Sequence, residues 1–125
     1  MSQTSEPTFW YKILDAPPPE PLPDTLPLTP LDASDGFIHL SSASQVPITA
    51  NLFFSQADRL WVLKLRTKDL DGRVEYPPEL GSAAPHLHGS KKGLGKGNIE
   101  QVIEMRRNGE GREWKDVAEM KALQN

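Results

Sequence analysis

With 125 residues, 37% of them hydrophobic, the chain has room for one domain with a core of its own and too little for two ordinary ones. A formal net charge of −3 gives no general attraction to polyanions, so binding to nucleic acid would have to rest on a local basic patch. The lack of cysteine excludes disulfides, thiol nucleophiles and thiolate metal sites.

Met1 to Thr8 is polar and lacks the basic-then-apolar plan of a secretory signal, and no apolar run is long enough to cross a membrane. The expectation is a soluble, cytoplasmic protein with a disordered stretch at 1–8 and a single domain over 9–125. Phe9 to Leu14 reads as the first strand, with Phe9, Tyr11 and Ile13 on one face and Trp10, Lys12 and Leu14 on the other. From Pro17 to Pro30 seven of fourteen residues are proline, which removes backbone donors and favours extended structure. A long surface loop without a helix is predicted over 17–30, of the kind that serves as a lid or a linker.

Asp35 to Ser41 reads as a strand around which the chain is organised. It is punctuated by the Asp35-Gly36 turn signal before it and by the Ser-Ser-Ala-Ser run after it. Period two sends Ile38 and Leu40 to a core face, and Phe37, His39 and Ser41 to a face that can line a cleft. Ser42 to Arg59 then reads as helical, with Ile48, Leu52 and Phe53 as its core stripe and Asn51 and Thr49 pointing elsewhere. Leu60 to Arg66 is a strand in which Trp61, Leu63 and Leu65 alternate with Val62, Lys64 and Arg66.

Arg73 to Tyr76 is a short strand ended by Pro77-Pro78. In Pro85-His86-Leu87-His88-Gly89, extended backbone puts both histidines on one face. Ser90 to Gly97 is a loop rich in glycine and lysine. It fails the P-loop pattern because Lys96 is followed by Gly97, although its amides and lysines can still hold a diphosphate. Asn98 to Arg107 fits a helix through Ile99, Val102 and Ile103, and a strand through Ile103 and Met105. Glu113 to Leu123 reads as a terminal amphipathic helix, with Val117, Met120 and Lys121 to Leu123 following Trp114 at helical spacing.

His39, His86 and His88 together can in principle bind zinc. Asp35 is the only carboxylate near either histidine segment and no HExxH spacing exists, so no metal is expected. From the residue alone, His39 is more often a buried histidine bonded to a carbonyl, and Ser41 a helix cap.

Several blocks together carry a resemblance over about residues 9–105. They are Tyr11-Lys12-Ile13, Asp35 to Ser41, Gln45-Val46, Thr49-Ala50, Phe53-Phe54, Leu60 to Leu65, and Pro85-His86-Leu87-x-Gly89. The chain resembles the domain of unknown function 952 family, with His88 standing where that family commonly has tyrosine. That family is similar in fold to the ADP-ribosyltransferases. The segment His39-Leu40-Ser41, with Thr49-Ala50 and Trp61 to Leu65, looks like the second histidine motif of the tRNA 2′-phosphotransferases.

The resemblance implies an α+β fold in which two small, mainly antiparallel sheets open into a cleft holding NAD. It implies a catalytic set of His39, Ser41 and His86, with His39 bonded to the nicotinamide ribose. A cofactor-binding set of Tyr11, Lys12, Phe37 and Asn51 follows, with Tyr11 or Phe37 stacking and Lys12 meeting phosphate; Lys64 and Arg66 are further candidates. Glu100 and Glu104 lie near the place of the toxin-type catalytic glutamate without a certain match. The expected partner is a small nucleotide, with neither nucleic acid nor membrane required. The alternative is a non-catalytic ligand-binding or protein-interaction domain on the same fold.

Overall fold

The computed structural model describes residues 7–75, 85–107 and 113–124. The expectations for residues 1–6 and for the strand end at Pro77-Pro78 lie outside the described residues. Alternating apolar residues pair β1 (Phe9–Leu14) antiparallel with β3 (Arg59–Arg66), and β3 antiparallel with β6 (Ile99–Arg106), in the order β1-β3-β6. A second antiparallel sheet joins β2 (Ile38–His39), β5 (His86–His88) and β4 (Arg73–Glu75), in the order β2-β5-β4. With the helices α1 (Pro30–Asp35), α2 (Val46–Phe53) and α3 (Ala118–Lys121), the chain is a small α+β domain with two small antiparallel sheets. No helix among the described residues is long and apolar enough to cross a membrane.

The first sheet is the middle of three layers. Tyr11, Ile13, Leu60, Val62 and Met105 pack on Val46 and Ala50 of α2 and on Trp114, Val117 and Met120. From the other face Trp10, Leu63, Leu65 and Ile99 meet Ile38, Leu40 and Leu87 of the second-sheet layer, closed by Leu26 and Leu94 from loops. Each such side chain taken out of water contributes roughly 1.5–3 kcal/mol before the entropy of ordering it.

The ambiguous segment 98–107 is a strand, and its helix-like spacing has a cause. Lys64 pairs with Gln101 and Leu65 with Ile99, so Glu100 is an extra residue at a bulge. The bulge puts Ile99 and Val102, three apart, into the same apolar layer.

Elsewhere the structure departs from the sequence expectations. The proline-rich loop runs without a helix up to its last residue, Pro30, which opens α1. Thr29 caps α1, its hydroxyl accepting from Asp32 N at 3.2 Å, Pro30 opens the first turn, and Gly36 closes it at φ 80°. In α2 the buried positions are Val46 and Ala50, whereas Ile48, Leu52 and Phe53 are exposed. The helix begins four residues later than expected, at Val46, and its buried i, i+4 pair is formed by the smaller side chains Val46 and Ala50. The C-terminal segment is a 3-10 turn at Trp114–Asp116 followed by α3 in place of one helix, with Trp114, Val117 and Met120 buried as their spacing predicts.

Candidate functional site

The second sheet presents two unlike faces. Ile38 and Leu87, paired in register, point into the core, and the same alternation turns His39 and its partner His86 to the other side. Phe37 stacks on His86 with ring centroids 4.1 Å apart and lies 4.8 Å from His39 and 4.9 Å from His88. His39 meets His86 edge-on at 5.0 Å. Four flat rings from β2, β5 and the residue before β2 thus form one surface, with the His39 side chain 29% exposed.

Behind His39 stands α1. Asp32, 2% exposed, uses Oδ1 to accept from the His39 backbone N–H at 3.2 Å and to bond the ring Nδ1 at 2.7 Å. Its Oδ2 is held by Lys12 Nζ at 2.5 Å, and Lys12 also donates to the His39 carbonyl at 3.0 Å. The far ring nitrogen, Nε2, lies 3.1 Å from Asp35 Oδ2 at the end of the same helix. One helix therefore brings a carboxylate to each side of the imidazole.

Burial alone would raise the Asp32 pKa. Hydrogen bonds from Lys12 and His39, together with the lysine charge, outweigh it and hold the carboxyl below its ordinary range. Burial pulls the Lys12 ammonium down from the usual lysine value, and Asp32 opposes that pull. Each charge of the pair offsets the other, which lowers the cost of burying both side chains.

The structure brings Lys12, Phe37, His39 and His86 together and leaves Tyr11, Ser41 and Asn51 in another layer. The strand expected over 35–41 is confined to Ile38–His39, since Asp35 belongs to α1 and Gly36 caps it, and beyond His39 the chain changes partners: Leu40 N bonds the Pro85 carbonyl, and Ser41 then pairs with Tyr11 of the first sheet. Ser41 is consequently not on the His39 wall, and its Oγ donates to Thr49 Oγ1 on α2 at 3.4 Å. The Tyr11 hydroxyl donates to the Gln124 carbonyl at 2.6 Å, and Asn51 Oδ1 accepts from Trp114 N at 2.9 Å. Lys64 lies over the Phe9 ring at 4.1 Å, and Arg66 binds Asp69, Glu100 and the Gly97 carbonyl. Glu104 is taken up by Arg59 and Arg106.

The glycine- and lysine-rich loop carries its own anion. Asp71 accepts from the amides of Lys91 at 2.7 Å and Lys92 at 3.1 Å and from the Ser90 hydroxyl at 2.5 Å, which brings its pKa down to about 2. Those amides are the donors a diphosphate would have used. Among the described residues no group of three or more His, Asp or Glu side chains is arranged to hold a metal ion.

Asp32 is the residue that sequence reasoning missed. A signal existed in Thr29-Pro30-Leu31-Asp32, a cap, an N1 proline and an acidic first turn, and in the need of a strand-borne lysine for a counter-charge.

The family described as "Protein of unknown function (DUF952)" matches residues 23–105, and the chain belongs to that family. No curated protein matches the chain in sequence. Among solved structures it is similar to the X-ray crystal structure of protein CC0527 from Caulobacter crescentus. The identity is 23% and the TM-score 0.61, with 85% of this chain and 93% of that one covered. A double mutant of the same protein matches with the same figures. At this identity the likeness is one of fold.

Proposed function

We propose that this member of the DUF952 family binds a nucleotide of the NAD or ADP-ribose kind on the ring-lined face of its second sheet, and that transfer of ADP-ribose or phosphate is the reaction the site serves. The observation that supports the reading is an accessible imidazole, His39, set from behind by a buried carboxylate and flanked by the Phe37–His86 stack. Flat rings offer stacking to nicotinamide or adenine, and a fixed imidazole nitrogen offers a hydrogen bond to a ribose hydroxyl. Cleavage of a nicotinamide glycosidic bond builds positive charge on the ribose, so orientation and polar contacts count for more than a strong nucleophile. The similarity to ADP-ribosyltransferases and tRNA 2′-phosphotransferases rests on the sequence blocks around His39 and is an analogy of fold. The same reading takes the protein to be cytoplasmic and to need no resident metal.

The fit is fuller for a nicotinamide ribosyl half than for a diphosphate. Lys12, the phosphate contact expected from sequence, is committed to Asp32 and to the His39 carbonyl. Arg73, opposite His88 in register, is the cation that β4 adds to this sheet. The engagement of Lys12 favours a second reading, in which the face binds its ligand without turning it over.

Isothermal titration with NAD and with ADP-ribose, alongside release of nicotinamide, separates the readings. Micromolar binding, about 8 kcal/mol, that His39→Ala abolishes in a folded protein is the expected result. Binding without nicotinamide release leaves the second reading, and no heat from either ligand overturns both.

A further inference from the structure

His39 sits between two carboxylates, and an imidazole bonded to both donates from both nitrogens only when it is protonated. In the neutral ring a single hydrogen remains, and the two carboxylates compete for it. Asp32 is 2% exposed, is 2.7 Å from Nδ1, and is immobilised by three further contacts: its Oδ1 accepts from the His39 backbone N–H, Lys12 grips its Oδ2, and Thr29 caps the turn that carries it. Asp35 stands at the last turn of α1, 3.1 Å from Nε2, with its side chain 38% exposed. Water competes for Asp35 and screens it, whereas the acceptor at Asp32 has no such alternative.

We infer that Asp32, gripped by Lys12, is the positioning residue of the site. It keeps the neutral His39 ring in the Nδ1–H form and turns the Nε2 lone pair outward to accept a hydrogen from a ligand hydroxyl. In that form Nε2 carries no hydrogen for Asp35, so the exposed carboxylate and the outward nitrogen face the ligand together. Lys12 acts through Asp32 and not as a phosphate contact. The role rests on the reading of the Phe37–His39–His86 face as a ligand site, whereas the ring geometry it predicts is observable without any ligand.

The test is nitrogen NMR of the full chain labelled with 15N-histidine, followed as pH is raised until the His39 ring is neutral. The expected result is a hydrogen that stays on Nδ1 and leaves Nε2. A neutral ring with its hydrogen on Nε2, or one that averages both forms, overturns the inference, and this arm needs no substitution. A second arm takes both charges out together as Lys12→Met/Asp32→Leu, since Asp32→Ala alone strands a buried ammonium and can unfold the chain. In the folded double variant the ring should lose its Nδ1–H preference and NAD binding should weaken about tenfold or more, the range set by loss of a hydrogen bond to a charged group. A double variant that retains the Nδ1–H form overturns the role of Asp32. Failure of the wild-type protein to bind NAD or ADP-ribose sinks the nucleotide reading alone, because the ring hydrogen is read independently.

Discussion

Tyr11 and Lys12 are neighbours on β1, and alternation sends them into layers built on different physics. Tyr11 enters a layer closed by apolar contact, with α2, Trp114, Val117 and Met120 against the sheet. Lys12 enters a layer in which a buried ion pair stands among leucines and fixes an imidazole at its edge. The first layer should respond to a substitution in proportion to the volume lost. The second should respond to whether charge is left alone, because one partner removed strands the other while removal of both strands none. A charged pair of this kind contributes little net stability and a good deal of orientation, which suits the side of the sheet that carries the candidate site.

The contrast can be tested in order of effect. Trp114→Ala removes a side chain buried to 0% exposure and leaves a cavity, with a loss of roughly 4 kcal/mol expected in urea unfolding. A loss near that of a surface change would mean that the C-terminal segment is not part of the packed layer. Asp32→Ala should cost about 3 kcal/mol, whereas Lys12→Met/Asp32→Leu should cost less than about half of that. Equal losses in the single and double variants would show that packing, and not the stranded charge, governs this layer too.

The smallest effect belongs to Asp71, outside both layers. Its carboxyl is held down to about 2 by the Ser90 hydroxyl and by the Lys91 and Lys92 amides, with burial opposing them. A depressed carboxylate stabilises the fold above its unfolded value of about 3.9 and loses that contribution as pH falls through the folded value. Wild-type stability should therefore decline between roughly pH 4 and 2, and Asp71→Asn should flatten that part of the profile. An unchanged acid profile in the variant would remove the loop anchor from the account.

Much of the frame was readable from residue order. The alternation in Phe9 to Leu14 and in Leu60 to Arg66 marks β1 and β3 because each position has one fixed face. The helix at 30–35 was hidden by its surroundings, since seven prolines in 17–30 mask a start signal that Thr29 and Pro30 give plainly when taken alone. In α2 the large apolar residues suggested the buried stripe, but the small Val46 and Ala50 let the helix approach the sheet and occupy it. Phe37 and His39 were legible as one wall from alternation, whereas the place of His86 beside them, and not across a cleft, follows from the pairing of β2 with β5, which leaves no mark in residue order. Ser41 was not, because a strand that switches sheets after Leu40 breaks the two-residue rule on which its placement depended. Asp32 escaped because contacts between residues 12, 32 and 39 are tertiary and leave no period in the sequence.

The Tyr11 hydroxyl receives the Gln124 amide at 3.1 Å and donates to the carbonyl of the same residue, a closure across 113 positions. For folding kinetics this contact is as non-local as the chain nearly permits, and the pairing of β1 with β3 and of β3 with β6 adds further long loops to close. Contacts between such distant segments slow folding, because the loops must be closed before the contacts reward them. In this chain the packed layer is not sealed by its first half alone: one face of the strand that carries both Tyr11 and Lys12 is completed by residues near 124.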